Sequence, residues 1–362
     1  MKIGLVRRGY SATGGAEAYL RRFAEGVVAS GHQCSLFTAR KWPREEWPHE
    51  IFRVPHAESP RAFARALVKM GAQERCDLLF SLERVTTCDC YRAGDGVHRA
   101  WLARREQAAP GLRSLLRRWN PKHREILALE AELFRTEGAR AVIANSQMVK
   151  AEIVHHYPRY PAERIHVVHN GVPSSGVRPG SYAARVQTRK ELGIADDEYV
   201  VLFAGSGWER KGLSYAIEAM NAAALPRGVL LVAGSGDKGA MPKSRHTIFL
   251  GPVKDMPRHF AAADAFLLPT LYDPFSNACL EALAAGLPVI TTSSNGFSEI
   301  IDPGVEGDVL SDPADVVALA RAIAGWNDSG RRDAVREQLL AKGARYSMEE
   351  NIRQTLAVFA AL

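Results

Sequence analysis

The chain of 362 residues is predicted to be an α/β protein built as two Rossmann-like, doubly wound halves. Three observations carry that prediction. Short apolar runs alternate with helical segments through both halves, as in parallel strands covered on both faces. The length suits two domains of ordinary size. The composition, 46% hydrophobic and 24% charged, is globular and excludes a disordered chain.

Lys2–Val6 reads as the first buried strand. The turn Ser11-Ala-Thr-Gly-Gly15 leads into a helix through Ala29, which Gly31 stops. Gln33–Thr38, Asp77–Ser81 and Ala141–Ala144 are further strands, and Ile165–His169 closes the sheet. Asn170-Gly171 begins the passage to the second half, through a Ser-, Gly- and Pro-rich linker over 173–185. There the same logic restarts with strand Val200–Ala204, helix Leu213–Ala223 and strand Val229–Ala233. Thr247–Gly251, Ala265–Pro269 and Val289–Thr292 supply the remaining strands. The expected domains are 1–170 and 171–345, with a last helix over 346–362.

Charge is unevenly placed. Residues 1–170 hold 28 Lys and Arg against 18 Asp and Glu, whereas the rest hold 19 against 22. A basic first half points to an anionic partner there. No apolar run is long enough to span a membrane, and the apolar start is too short for a secretory signal. Cys34, Cys76, Cys88, Cys90 and Cys279 make no zinc pattern and read as reduced thiols.

The densest chemical signal is Asp273-Pro-Phe-Ser-Asn-Ala-Cys-Leu-Glu281, followed by Ala-Leu-Ala-Ala-Gly286-Leu-Pro288-Val289-Ile290. Asp273 stands in a loop after an apolar strand, and Glu281 stands within a helix that Gly286 ends with a left-handed cap. Both acids can then line the crevice where α/β sheets bind nucleotides. Either alone is more simply a solvated charge; together they suit the hydroxyls of a nucleotide-sugar.

Gly205-Ser-Gly-Trp-Glu-Arg210-Lys211-Gly212 follows a strand and opens a helix. Helix-start N–H groups beside two cations make a diphosphate cradle, with Arg gripping two oxygens and Lys acting as a point charge. The plain alternative is a surface Arg-Lys pair. Gly14-Gly15 lets the backbone approach a ligand, but no Gly-x-Gly-x-x-Gly is present, which disfavours a nicotinamide dehydrogenase. Glu17 reads as a helix-start charge. The turn Gly234-Ser-Gly236-Asp237 is a weak candidate to approach a nucleotide base. Asp95 and His98 share a Gly-flanked loop. The N–H groups of Gly296-Phe297-Ser298-Glu299 suit a distal phosphate or the sugar, or a plain helix start capped by Ser298.

Arg99–Arg124 is the strongest feature elsewhere. Leu112, Leu115, Leu116 and Trp119 share one helical face, with Arg104, Arg105, Arg113, Arg117, Arg118, Lys122 and Arg124 around it. A basic amphipathic helix suits an anionic membrane surface; the alternative is a helix packed on the first domain. No recognised module supports a nucleic-acid partner.

In order along the chain, Gly14-Gly15-Ala16-Glu17, Asn145-Ser146, Asn170-Gly171, Gly205–Gly212, Asp273-x7-Glu281 and Gly296-Phe297-Ser298-Glu299 resemble a known family. It is that of the retaining GT-B glycosyltransferases with a Glu-x7-Glu signature, glycosyltransferase family four. The pattern is similar in particular to the lipopolysaccharide core heptose glucosyltransferases, which also carry a basic insertion in the first half. Asp273 departs from the signature, being one methylene shorter than Glu.

The resemblance implies a GT-B fold, two Rossmann-like domains facing a cleft. It implies an acceptor on the first domain and a nucleotide-diphosphate sugar, UDP-sugar favoured, on the second. Donor contacts fall to Gly14, Gly15, Asn170, Gly205, Arg210, Lys211, Glu281, Gly296 and Phe297. Glu281 is implied to hold the ribose, and Arg210 and Lys211 the diphosphate. Catalytic roles fall to Asp95, ranked above His98, and to Arg210, Lys211 and Asp273. The implied reaction is retaining transfer of a hexose, glucose first, to a lipopolysaccharide-core or other glycolipid or glycan acceptor. No cofactor or metal is expected, since two cations stand where other transferases use an ion and no Asp-x-Asp occurs. The expected location is cytoplasmic, peripheral on the inner face of the cytoplasmic membrane through 99–124. A GT-B epimerase or phosphorylase, or a non-catalytic nucleotide-sugar-binding membrane protein, remains an alternative.

Overall fold

A computed structural model describes residues 1–11, 15–108, 120–173 and 181–362. The chain divides into one unit of Met1–His169 with Met348–Leu362, and a second of Asn170–Ser347.

Among the described residues the first unit holds a seven-stranded parallel sheet. Its strands are β1 (Lys2–Val6), β2 (Gln33–Thr38), β3 (Glu50–Arg53), β4 (Leu78–Ser81), β5 (Cys88–Ala93), β6 (Ala139–Ala144) and β7 (Ile165–Val167). Their spatial order is β3-β2-β1-β4-β5-β6-β7, so the winding reverses between β1 and β4. Leu20, Phe23 and Val27 of the helix Gly15–Ala29 supply one buried stripe, and Phe23 packs on Phe80 of β4 with ring centroids 5.2 Å apart. The terminal helix Met348–Ala360 adds Phe359, 5.0 Å from Phe80. The two helices approach closely at Gly26, where a β-carbon would lie 2.1 Å from Ile352 Cδ1. Asn351 on the terminal helix accepts from the Tyr19 hydroxyl at 3.0 Å and donates to the His169 carbonyl at 2.6 Å. Burying each large apolar side chain of this kind stabilises the unit by about 1.5–3 kcal/mol.

Two strands of this sheet escape a reading by apolar runs. Edge strand β3 is only partly buried. β5 is internal but carries Asp89 and Arg92. Its buried positions tolerate them because each is partnered. Asp89 accepts from the Leu79 N–H at 2.8 Å, and the Arg92 guanidinium lies 3.8 Å from the centre of the Tyr19 ring. Cys88 and Cys90 face the core of this strand as free thiols, pushed above their ordinary range by burial.

The second unit holds a six-stranded parallel sheet among the described residues, ordered β10-β9-β8-β11-β12-β13. The strands are β8 (Tyr199–Ala204), β9 (Gly228–Ala233), β10 (Thr247–Gly251), β11 (Ala265–Leu268), β12 (Val289–Thr292) and β13 (Gly307–Leu310). β8, β9, β11 and β12 are buried along their whole length, as expected of parallel strands covered on both faces. β13 is the strand that apolarity did not announce, and it pairs with β12 through Val289–Gly307 to Thr292–Leu310. Gly286, at φ 81°, ends the helix Asn277–Ala284 as its position in the sequence predicts. The winding reverses between β8 and β11.

Candidate active site

Open α/β sheets bind ligands beyond the carboxyl ends of the strands where the winding reverses. In the second unit that place lies between the exits of β8 and β11, and it gathers Gly205, Arg210, Lys211 and Asp273. Gly205 directly follows β8. Arg210 and Lys211 lie on a single helical turn, Trp208–Lys211, rather than in an open loop. Left-handed glycines bound that turn: Gly207 and Gly212 both have φ 74°. Gly212 also lies so close to the exit of β11 that a β-carbon would meet the Pro269 carbonyl oxygen at 1.9 Å. The turn is bonded to the exit of β11. The Arg210 carbonyl accepts from the Leu271 N–H and the Thr270 hydroxyl, both at 2.9 Å, and Arg210 Nη1 donates to the Tyr272 carbonyl at 3.1 Å. Lys211 Nζ is ion-paired with Asp273 Oδ2. The Lys211 stem runs over Gly205, where a β-carbon would be 3.5 Å away.

The glycines of the turn Gly234–Asp237 have a packing role that the sequence does not announce. A β-carbon on Gly234 would meet the Gly205 carbonyl oxygen at 2.2 Å, and one on Gly236 would meet the Trp208 ring at 2.4 Å. These glycines let the loop after β9 close on the loop after β8, so their place is explained by packing.

Asp273 is 5% exposed and extends the sheet by one bridge to Asn295. Its N–H donates to the Ser294 carbonyl and its carbonyl accepts from the Gly296 N–H, both at 2.9 Å. The Phe297 N–H donates to Asn295 Oδ1 at 3.2 Å and the Ser298 N–H to the Asn295 carbonyl at 2.8 Å. The N–H groups of Gly296, Phe297 and Ser298 are therefore not open to a ligand, which corrects the reading of a free helix start. Asn295, not Ser298, is the cap, because its side chain already lies over the turn. Phe297 is fully buried, edge-on to Phe275 with centroids 6.0 Å apart.

Glu281 stands half-buried on the helix Asn277–Ala284, which Ser276 caps through Cys279 N–H at 3.3 Å. Leu280 and Leu283 bury the opposite side of that helix. Asn277 and Glu281, four residues apart, share the less buried face. Asn170 Nδ2 donates to Asn277 Oδ1 at 2.7 Å and to the Phe275 carbonyl at 3.3 Å, so Asn170 braces the start of the Glu281 helix.

In the first unit, the winding reverses at Arg7, which follows β1, and Glu83, which follows β4. Arg7 Nη2 lies 3.0 Å from Glu17 Oε1, and Arg7 Nη1 lies 3.2 Å from Glu83 Oε1. Glu17, 3% exposed, is thus a buried partner of Arg7 rather than only a helix-start charge. Burial raises the Glu83 carboxyl, opposed by Arg7. Gly15 is the first residue of its helix; Gly14 lies outside the described residues.

Asp95 is exposed at the tip of the loop after β5, and Gly96 beside it has φ 67°. That loop is clamped by Asn145, from the Asn145-Ser146 pair, and by Arg84 and Glu130, which sequence reasoning missed. Arg84 Nη2 donates to the Gly96 carbonyl at 2.7 Å, and Asn145 Nδ2 donates to the Gly94 carbonyl at 3.3 Å. Glu130, fully buried, accepts from the His98 and Arg99 N–H groups at 2.8 and 3.2 Å, from Arg84 Nε at 3.0 Å and from the Tyr157 hydroxyl at 2.8 Å. A carboxylate at a helix start is favoured by the dipole. Its one sequence signal is an acid between Leu129 and Leu133 on a buried face. His98 opens the helix His98–Ala108, and its Nε2 lies 3.0 Å from His123 Nδ1. Burial, with the Arg84 charge, lowers its imidazole to about 4, so it is neutral near pH 7.

Arg99–Arg124 is not one helix. The helix His98–Ala108 precedes the segment 109–119, and Asn120 caps a new helix, Pro121–Leu133, with proline at its first position. Arg104 lies 2.8 Å from Glu152 Oε1, so it belongs to the packed side rather than to a free basic face. Leu112, Arg113, Leu115, Leu116, Arg117, Arg118 and Trp119 lie outside the described residues. Among the described residues, no helix is long and apolar enough to cross a membrane, and no group of three His, Cys, Asp or Glu is placed to hold a metal.

Known proteins match both units. The description Glycosyltransferase Family 4 fits residues 13–175, and Glycosyl transferases group 1 fits residues 198–327. Lipopolysaccharide glucosyltransferase WaaG of Escherichia coli is 26% identical over 325 residues, 84% of this chain and 83% of that protein. A crystal structure of WaaG, a glycosyltransferase involved in lipopolysaccharide biosynthesis, superposes with a TM-score of 0.81 at 21% identity, covering 98% of each chain. Anabaena HepE in complex with UDP-glucose superposes with a TM-score of 0.76 at 19% identity, covering 100% of each. The two doubly wound sheets, the site at the second reversal and these matches agree: the chain belongs to the GT-B glycosyltransferases, with a family 4 first half and a group 1 second half.

Proposed function

We propose that this glycosyltransferase is retaining and moves a hexose, glucose first, from a UDP-sugar to a lipopolysaccharide-core or related glycolipid acceptor. The second unit takes the donor and the first takes the acceptor. The observation that carries the reading is the Arg210, Lys211 and Asp273 group at the winding reversal of the second sheet. A diphosphate placed there meets two cations, one of which a buried carboxylate already orients. As the bond from the sugar C1 to the phosphate oxygen breaks, negative charge grows on the departing diphosphate, and Arg210 and Lys211 stabilise it. Preorganised charge of this kind often supplies the largest catalytic contribution. The acceptor oxygen attacks C1 from the face the phosphate leaves, and its proton passes to the departing phosphate oxygen.

Asp273 is shorter than the Glu of the family signature. In this reading it works through Lys211, holding the ammonium toward the phosphates. Glu281 takes the ribose hydroxyls from the next helix, which Asn170 braces. The bound UDP-glucose of HepE supports the choice of donor, and the relation to WaaG supports the acceptor. Asp95, exposed at its loop tip, is ranked above His98, whose ring is bonded to His123, as a catalytic group.

The test is product analysis with UDP-glucose and a heptose-containing lipopolysaccharide core. An α-linked product from the α-configured donor is expected, read by the anomeric coupling in proton NMR. A β-linked product overturns retention, and transfer from another nucleotide-sugar alone overturns the donor.

A further inference from the structure

On the Asp273 and Glu281 side of the proposed donor site, three segments of the second unit meet around one amide. Asn295 follows β12 and is fully buried. Its Oδ1 accepts from the Ser276 N–H at 3.1 Å and the Phe297 N–H at 3.2 Å. Its Nδ2 donates to Thr291 Oγ1 at 3.0 Å and to Cys279 Sγ at 3.3 Å. All four hydrogen-bonding positions of the amide are thus filled, and the two backbone donors fix which end is oxygen.

The four partners come from three segments around the site. Ser276 caps the helix that carries Glu281, and Cys279 lies in its first turn. Phe297 lies in the turn Gly296–Ile300. Thr291 is on β12 and donates onward to the Leu268 carbonyl at the end of β11. The backbone on both sides of Asn295 closes on Asp273, through Ser294 and Gly296. Apolar packing would fill the same space, but it would leave the Ser276 and Phe297 N–H groups buried without acceptors. It would also impose no direction on the three segments.

We propose that Asn295 is a positioning residue of the donor site, a side chain that sets Asp273, the Glu281 helix and the supporting turn Gly296-Phe297 in mutual register. It contacts no donor atom and acts through those segments. The inference rests on the reading of this place as a nucleotide-diphosphate site.

The test is calorimetric binding of UDP, ADP and GDP to the full chain, with thermal unfolding measured alongside. Asn295→Ala is compared with Leu319→Ala, which removes a fully buried side chain from the helix Val316–Gly325 of the same unit. Misplacing a site by a fraction of its working geometry costs about 10- to 100-fold, so Asn295→Ala should weaken the nucleotide by about that factor. Leu319→Ala should lower the melting temperature with affinity unchanged. Unchanged affinity in Asn295→Ala overturns the proposal, as does an equal loss in Leu319→Ala. If Asn295→Ala does not fold, Thr291→Val decides, since it removes one of the four contacts at nearly constant volume. A weaker nucleotide supports the proposal, and parent-like affinity overturns it. A parent that binds none of the three nucleotides overturns the donor-site reading itself, and this inference with it.

Discussion

The Lys211 ammonium, from the turn after β8, is ion-paired with the Asp273 carboxylate, from the loop after β11, and their side chains are only 13% and 7% exposed. The pair spans the winding reversal of the second sheet. Removing one partner leaves the other charge buried, which costs about 3–5 kcal/mol. Lys211→Ala should therefore lose stability as well as turnover, with kcat reduced about 100- to 1,000-fold. Lys211→Met with Asp273→Leu should recover most of the stability and none of the activity. Thermal unfolding and steady-state kinetics on the two variants check this.

Glu281→Ala should weaken the donor with little effect on folding. Glu281 is half-buried on the less buried face of its helix, so its removal leaves the buried Leu280 and Leu283 in place. The expected result is a raised KM for the nucleotide-sugar and a nearly constant melting temperature. An unchanged KM removes Glu281 from the donor site.

Asp95→Ala should depress turnover more than His98→Ala, because Asp95 is exposed at its loop tip while the His98 ring is bonded to His123. His98 has a separate consequence for stability. The folded chain holds its imidazole at about 4, below the ordinary 6.5, so the unfolded chain binds the proton more readily. The resulting contribution is fully present above pH 6.5 and is lost as pH falls toward about 4. His98→Gln should flatten the stability profile in that window, measured by urea unfolding from pH 7 to pH 4. A profile as steep as the parent's rejects the assignment.

Activity should persist in EDTA if, as proposed, Arg210 and Lys211 supply the positive charge for the diphosphate that a metal ion supplies in other transferases. Loss of turnover in chelator, restored by magnesium or manganese, rejects a metal-free mechanism.

Replacing Arg113, Arg117 and Arg118 with Glu should sharply reduce sedimentation with anionic vesicles, since each basic residue near such a surface contributes about 1 kcal/mol. Turnover of a small soluble acceptor should survive. Parent-like vesicle binding shows that 99–124 is not a lipid contact.

The sequence by itself determined the class of fold and the family. Strands such as β8, β9, β11 and β12 are continuous apolar runs because parallel strands are buried on both faces, so they are legible without partners. Gly286 is legible for a similar reason, since ending a helix in a left-handed residue favours glycine. Glu-x7-Glu-type spacing located Asp273 and Glu281 because a strand exit and the next helix are neighbours in the chain. What only the tertiary structure decided is the pairing of polar groups distant in sequence. Arg92 is a charge that no apolar run would place in a strand, yet it lies in β5, where its guanidinium packs over the Tyr19 ring. Arg104 looked like part of a basic face, yet Glu152 holds it. Glu130 shows in the sequence only as an acid between Leu129 and Leu133, and Asn295 only as a cap close before Phe297; their partners Arg84, His98, Ser276 and Cys279 are distant in the chain and meet them only after the sheets have formed. Apolar periodicity is written residue by residue along the chain; the satisfaction of a buried polar group depends on which distant atom folding brings beside it.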